Sequence, residues 1–157
     1  MDVKSYLHMA VEQARKTMNN NEGGPFGAVI VDLQDGSVYV ASNSVLGGHD
    51  PTAHAEINAI REACRQKGTH DLTGCILYTT CYPCPMCLSA CIWANIKEVY
   101  YGCTPEDAEA IGFRDDYIYQ YIQEGCKNQD VLLLKESNRD MCLNLFAEYS
   151  EKNKQRY

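Results

Sequence analysis

Two short runs constrain this chain more than anything else in it: Pro51-Thr52-Ala53-His54-Ala55-Glu56 and Cys81-Tyr82-Pro83-Cys84-Pro85-Met86-Cys87. Together they offer one imidazole, two closely spaced thiols, and a carboxylate two residues beyond the imidazole. A structural zinc closes all four of its positions with protein ligands, whereas a catalytic zinc keeps one open, so three nitrogen and sulfur donors suit the catalytic kind. Such an ion lowers the pKa of its bound water from about 16 to about 7 and makes hydroxide available at neutral pH. A carboxylate that is not itself a ligand can then carry the proton. The chain is therefore expected to bring His54, Cys84 and Cys87 around one zinc, with Glu56 beside it as proton carrier.

The spacing sets local demands on the fold. Cys84 and Cys87 lie at the start of a helix opened by Pro85, so their side chains fall on one face. The partial positive charge of a helix N-terminus favours the thiolate that zinc requires. His54 and Glu56, two apart, would diverge on a regular helix. They can share a cavity only if His54 sits in a first, irregular turn. A helix start near Pro51 or Thr52, capped by Asp50 or Thr52, is expected for that reason.

Simpler readings compete with this one. A lone histidine near a helix start is usually structural, and an isolated Cys-x-x-Cys pair is usually half a structural zinc site or a redox pair. Cys81, Cys84, Cys87 and Cys91 also have the spacing of an iron–sulfur run. Ile92 stands where that run carries proline, and no second run exists. The conjunction of His-x-Glu with Pro-Cys-x-x-Cys favours the catalytic zinc. It is the pattern of the zinc-dependent nucleobase deaminases.

The remaining chain reads as one domain over residues 1–157. Apolar residues at Val3, Tyr6, Leu7, Ala10, Val11, Ala14 and Met18 have helical spacing. Phe26 to Asp32 is a buried strand, Gln34-Asp35-Gly36 a hairpin turn, and Ser37 to Ser42 the return strand. After the helix carrying Glu56, further strands are expected at Cys75–Thr80, Glu98–Gly102 and Val131–Leu134. Helices are expected from Pro85 to about Asn95, from Pro105 to Ala110, from Asp115 to Gln123, and from Asn138 to about Lys154. An initial hairpin followed by alternating strands and helices implies an α/β fold, a three-layer α/β/α arrangement around a mixed five-stranded sheet.

Fourteen basic against 21 acidic residues give a net charge of -7, which speaks against a nucleic-acid partner. The first twenty residues are too charged for a secretory leader, and no run approaches membrane-spanning length, so the cytoplasm is the expected location and no membrane partner is expected. Nine cysteines is an odd number, and several, such as Cys64 and Cys142, sit in apolar segments. Such cysteines are buried apolar residues or metal ligands more often than disulfide partners. Weaker signals are Gly23-Gly24-Pro25-Phe26-Gly27, whose glycines let backbone approach a flat ligand while Phe26 offers a stacking face, and Asn43, which has a donor and an acceptor for a base edge.

Over nearly its whole length the chain resembles the cytidine-deaminase-like superfamily. The residues that carry the likeness are Gly24-Pro25-Phe26-Gly27-Ala28-Val29-Ile30-Val31, Asp50 to Glu56, and Ile76-Leu77-Tyr78-Thr79-Thr80-Cys81 leading to the cysteine pair. Bacterial guanine deaminases and tRNA adenosine deaminases share these. The segment from Asp107 to Tyr119, with Phe113 and Asp115, and the lysine-rich C-terminus ending in Tyr157 look like the guanine deaminase branch. That resemblance implies hydrolysis of guanine to xanthine and ammonia, with hydroxide supplied by zinc attacking C2 and Glu56 shuttling the proton. It also implies a base pocket formed by Phe26, Asn43, Ala55, Asp115 and Tyr157, and a homodimer that swaps its C-terminal segments. Tyr82 stands where many relatives have glutamate. Guanosine, another aminoheterocycle and adenosine in tRNA are the alternative substrates, and a zinc-stabilised binding module is the non-enzymatic alternative.

Overall fold

The computed structural model describes all residues, 1–157. Contacts divide the chain into two compact units, residues 1–116 and 117–157. The first contains a four-stranded sheet in the order β2-β1-β3-β4, formed by β1 (Gly27–Asp32), β2 (Val38–Ser42), β3 (Cys75–Cys81) and β4 (Glu98–Cys103). β1 runs antiparallel to both β2 and β3, whereas β3 and β4 are parallel. Parallel neighbours need a crossover, and α3 (Pro85–Trp93) supplies it.

Every residue of β1 is buried, as a strand covered on both faces must be. Its side chains alternate between the two layers. Val29 and Val31 pack with Tyr78 against Ala10 of α1 (Val3–Asn19), while Ala28 and Ile30 pack with Leu77 against α2 (Ala55–Lys67). Small residues set the spacing of both layers. Ala55, Ala59 and Ala63 recur every four residues along α2 and are all fully buried. On the other face, a Cβ placed on Gly27 would lie 1.9 Å from the Ala10 carbonyl oxygen, so α1 meets β1 backbone to backbone. The three-layer α/β/α expectation holds, with the mixed sheet one strand short.

The hairpin turns as its sequence predicts. Gly36 takes φ 76°, which glycine adopts without strain, and its N–H donates to the Asp32 carbonyl at 2.8 Å. Fully buried Asp32 pairs with Lys67, the last residue of α2, which ties the end of β1 to that helix.

The expected fifth strand at Val131–Leu134 does not form. A strand exists only through a partner ladder, and here the N–H groups of Val131 and Leu132 turn back to the Asn128 carbonyl at 3.1 and 3.3 Å. Tyr121 donates its hydroxyl to the Leu132 carbonyl at 3.0 Å, which pins the segment within the second unit. The helices α4 (Pro105–Ala110), α5 (Asp116–Gln123) and α6 (Arg139–Glu151) fall within a few residues of their predicted bounds. No helix is long and apolar enough to cross a membrane.

Candidate active site

The N-termini of α2 and α3 meet at one point, and the first ligand of each run is that helix's N-cap. His54 caps α2 with extended backbone (φ -69°, ψ 158°), and Cys84 caps α3 likewise (φ -64°, ψ 167°), with Pro85 at the first helical position. The start of α2 is thus later than the sequence predicts. Asp50 and Thr52 do not cap it. Instead Asp50 accepts hydrogen bonds from the Thr52 N–H and hydroxyl and pairs with Arg61, while Ala53 N–H returns to the Asp50 carbonyl at 3.1 Å. This turn holds Asp50–Ala53 out of the helix. His54 therefore leaves the chain before the helical twist begins, and the requirement that it share a cavity with Glu56 is met.

His54 presents Nδ1 to both sulfurs, 3.5 Å from Cys84 Sγ and 3.6 Å from Cys87 Sγ. All three donor atoms lie within 4.8 Å of one another. In a tetrahedron with zinc–nitrogen bonds of about 2.0–2.1 Å and zinc–sulfur bonds of about 2.3 Å, the nitrogen–sulfur edge is about 3.6 Å. Both nitrogen–sulfur edges already have this length. Electrostatics prepare one of the two sulfurs as a thiolate. A hydrogen bond from Cys87, with lesser help from His54, draws the Cys84 thiol down to about 4, and Cys87 correspondingly holds its proton. The bond to Cys84 raises the pKa of His54. The type and spacing of these residues fit a zinc ion.

Glu56 is 6 % exposed, and its burial lifts the carboxyl to about 7. It faces a cavity of about 380 Å³ that also receives His54, Cys84, Asn43, Phe26, Tyr82 and Asp115. A buried carboxylate, two of the three candidate metal donors and a mainly apolar slot with a few polar groups converge here, as in a small-molecule site. Burial, then the negative charge on Cys84, raises the pKa of Asp115.

Asn43 is more restricted than its sequence suggests. Its Oδ1 accepts from the N–H groups of Gly24 and Val45 at 3.4 and 3.1 Å, which fixes the amide and leaves Nδ2 as its contribution to a ligand. It is a donor here, not a donor and acceptor. Phe26 lines the cavity in an edge-on pair with Phe113, ring centroids 5.0 Å apart at 89°. Phe113 is a lining residue that motif reading missed. The only sequence signal is a phenylalanine in a polar loop, two positions before Asp115. Gly24 backs this corner, since a Cβ there would come within 2.9 Å of the Phe26 ring and 3.1 Å of Phe113.

The other predicted positions divide. The Ala55 side chain is fully buried in the α2 core and does not line the cavity. Tyr82 does line it, and its ring packs edge-on against Tyr101 at 5.0 Å. Tyr157 ends the second unit, largely exposed. Of the four-cysteine run, only Cys84 and Cys87 face His54. Cys91 is buried in the core, and Cys81 borders the cavity with its thiol donating to the Thr104 carbonyl at 3.7 Å. Burial lifts the Cys81 thiol to about 11 and the Cys91 thiol to about 12, and neither belongs to the cluster around His54. All nine cysteines are free thiols.

Residues 1–103 match the cytidine and deoxycytidylate deaminase zinc-binding region, and that stretch includes both ligand runs. The chain belongs to this family of zinc-binding deaminases. Among curated relatives, the guanine deaminase of Bacillus subtilis (strain 168) is 45% identical over 132 residues, 83% of each chain. The tRNA-specific adenosine deaminase of Aquifex aeolicus (strain VF5) is 41% identical over 103 residues, covering 65% of this chain and 66% of its own. The X-ray structure of the Bacillus subtilis guanine deaminase superposes with a TM-score of 0.90 at 40% identity, covering 100% of this chain and 99% of that one. The family assignment makes zinc the metal of this deaminase fold, with the His54, Cys84 and Cys87 cluster as its candidate site.

Proposed function

We propose that this deaminase hydrolyses guanine to xanthine and ammonia. The observation that carries the reading is the extent of the likeness. In sequence it takes in 83% of the chain for a guanine deaminase but 65% for a tRNA-specific adenosine deaminase. The pocket chemistry supports it. Guanine presents N–H donors along the edge that carries its amino group, and Asp115 offers a carboxylate to accept them. The free Nδ2 of Asn43 donates to an acceptor on the base, and Phe26 receives the apolar face of the ring. A site whose buried polar groups match one base rejects bases that leave those groups unpaired.

His54, Cys84 and Cys87 would hold zinc, which when bound makes a water nucleophilic at neutral pH. Glu56 takes the proton that this water releases as its oxygen bonds to C2 of the base. It passes that proton to the ring nitrogen, then takes the proton of the new C2 hydroxyl and delivers it to the departing amine as the C2–N bond breaks, so guanine and water give xanthine and ammonia. Burial suits the group to both duties, since a carboxyl lifted to about 7 binds and releases a proton with similar ease.

The whole chain, 1–157, acts in this reading as one catalytic unit, assembled as a homodimer with exchanged C-terminal segments. Leu132, Leu134, Met141, Leu145 and Phe146 of the second unit are mostly exposed, and the apolar run Val131–Leu134 lacks a strand partner. β4 is an edge strand with largely exposed residues. A partner's Val131–Leu134 would complete that edge, and its Tyr157 would close the pocket. Free thiols and thiolate ligands suit a reducing, cytoplasmic setting.

Asp115→Asn tests the substrate assignment. The amide cannot accept on both oxygens, so KM for guanine should rise while zinc content stays at one per chain. Unchanged guanine kinetics in that variant would remove Asp115 from the pocket and weaken the choice of guanine over adenine.

A further inference from the structure

We propose that Asn58 is a positioning residue that fixes the substrate-facing amide of Asn43 relative to His54 and Glu56. Asn58 lies in the second turn of α2, half-buried, and does not line the cavity. Its Nδ2 donates to the Ser42 carbonyl at 2.9 Å, to Ser44 Oγ at 3.0 Å, and to the Ala53 carbonyl at 3.3 Å. Ser42 and Ser44 are the two neighbours of Asn43, and Ala53 is the residue before His54. One amide with two hydrogens thus grips the chain on both sides of the substrate donor and immediately before the first metal donor.

The backbone extends the same brace. Asn58 N–H donates to the His54 carbonyl at 2.9 Å, and Ser44 N–H donates to the Ala53 carbonyl at 3.0 Å. The Ala53 carbonyl therefore receives two donors, one from the loop after β2 and one from α2. Without Asn58, the Ala53 carbonyl would keep one of its two donors, Ser44 N–H, while the bonds that remain on Asn43, its N–H to the Phe26 carbonyl at 2.9 Å and its Oδ1 from Gly24 and Val45, do not reach α2. Loops of this kind move unless side chains hold them. Helix geometry adds a reason for this position. Glu56 points into the cavity from the first turn, and Asn58, two residues on, projects to a different side of α2, toward β2. Glu56, His54 and Asn43 are thereby referred to one rigid element, α2.

Other groups cannot replace the amide. A carboxylate would meet two carbonyl oxygens with acceptors, and an aliphatic side chain would leave those oxygens and the Ser44 hydroxyl without this donor. The effect should reach the metal as well as the base, since outer partners of metal ligands set their orientation. The inference rests on the active-site reading for the roles of Asn43, His54 and Glu56, but one arm of its test needs no substrate.

The experiment uses the full-length zinc-loaded protein with Asn58→Leu and Asn58→Ser. The serine keeps a donor but is too short to span all three acceptors. Thermal unfolding gives each melting temperature, and zinc release to a chromogenic chelator and steady-state kinetics with guanine are measured well below it. The expected result is zinc release faster by about tenfold together with a KM raised by about tenfold, in the range that loss of an outer partner produces. A residue that merely supports the fold would lower Tm yet leave zinc release and KM at wild-type values, and that pattern in the soluble variant overturns the proposal. Faster zinc release without turnover of guanine by the wild-type protein would sustain the brace and count only against the substrate.

Discussion

At the scale of single residues, the account separates holding the metal from moving the proton. Glu56 touches the cavity but is not one of the three clustered donors, so Glu56→Gln should still bind one zinc per chain. Turnover should fall by about a hundredfold to ten-thousandfold, the range of positioned general acid–base catalysis. Metal analysis alongside ammonia release checks this, and a variant that keeps near-normal turnover would remove Glu56 from the chemistry. Gly23 makes a second residue-level prediction. A Cβ there would fall 2.3 Å from both the carbonyl oxygen and the Oδ1 of Asn43. Gly23→Ala must therefore displace Asn43, and a misplacement near 1 Å in a reacting site costs about a hundredfold in rate. The loss should appear in kcat/KM for guanine with zinc content unchanged. Wild-type kinetics in this variant would show that Asn43 does not hold the substrate.

At the scale of elements, α2 joins the stability of the sheet to the site. Its first turn carries Glu56, the proposed proton carrier, and its last residue, Lys67, neutralises buried Asp32 at the end of β1. Lys67→Met would leave a fully buried carboxylate unpaired, at a cost of about 3 kcal/mol. Urea unfolding should report that loss, and Asp32→Asn in the same chain should return part of it. By contrast, removing the exposed Arg65–Glu62 pair should cost less than about 1 kcal/mol. The elements were largely legible in the sequence because their physical signals are local. Apolar spacing marks α1, continuous burial marks β1, and Gln34-Asp35-Gly36 marks the hairpin. The clustering of the candidate ligands was legible for the same reason, since Cys84 and Cys87 need only a helix start between them. What escaped depends on contacts distant in sequence. The delayed start of α2 follows from Asp50 binding Thr52 and Arg61, the loss of an acceptor on Asn43 follows from Gly24 and Val45, and Phe113 becomes a wall only because the fold sets it on Phe26. Val131–Leu134 has strand composition, yet composition does not specify a partner.

At the scale of the molecule, the proposed exchange with a second chain rests on the exposed apolar residues of the second unit and the open edge of β4. Sedimentation should find a dimer, and Phe146→Glu, which places a charge on the exposed face of α6, should shift it toward monomer with reduced turnover. A monomeric wild-type protein with full activity would refute the exchange. The central claim is nevertheless chemical, that a zinc deaminase site in this chain acts on the free base guanine. The most direct measurement is ammonia release by the zinc-loaded protein from guanine, guanosine, adenine, cytosine and a tRNA anticodon stem-loop, compared side by side. The account predicts turnover of guanine, with xanthine as product, and much slower or no turnover of the other four. Preferred release of ammonia from the stem-loop or from cytosine, with guanine left intact, would contradict it.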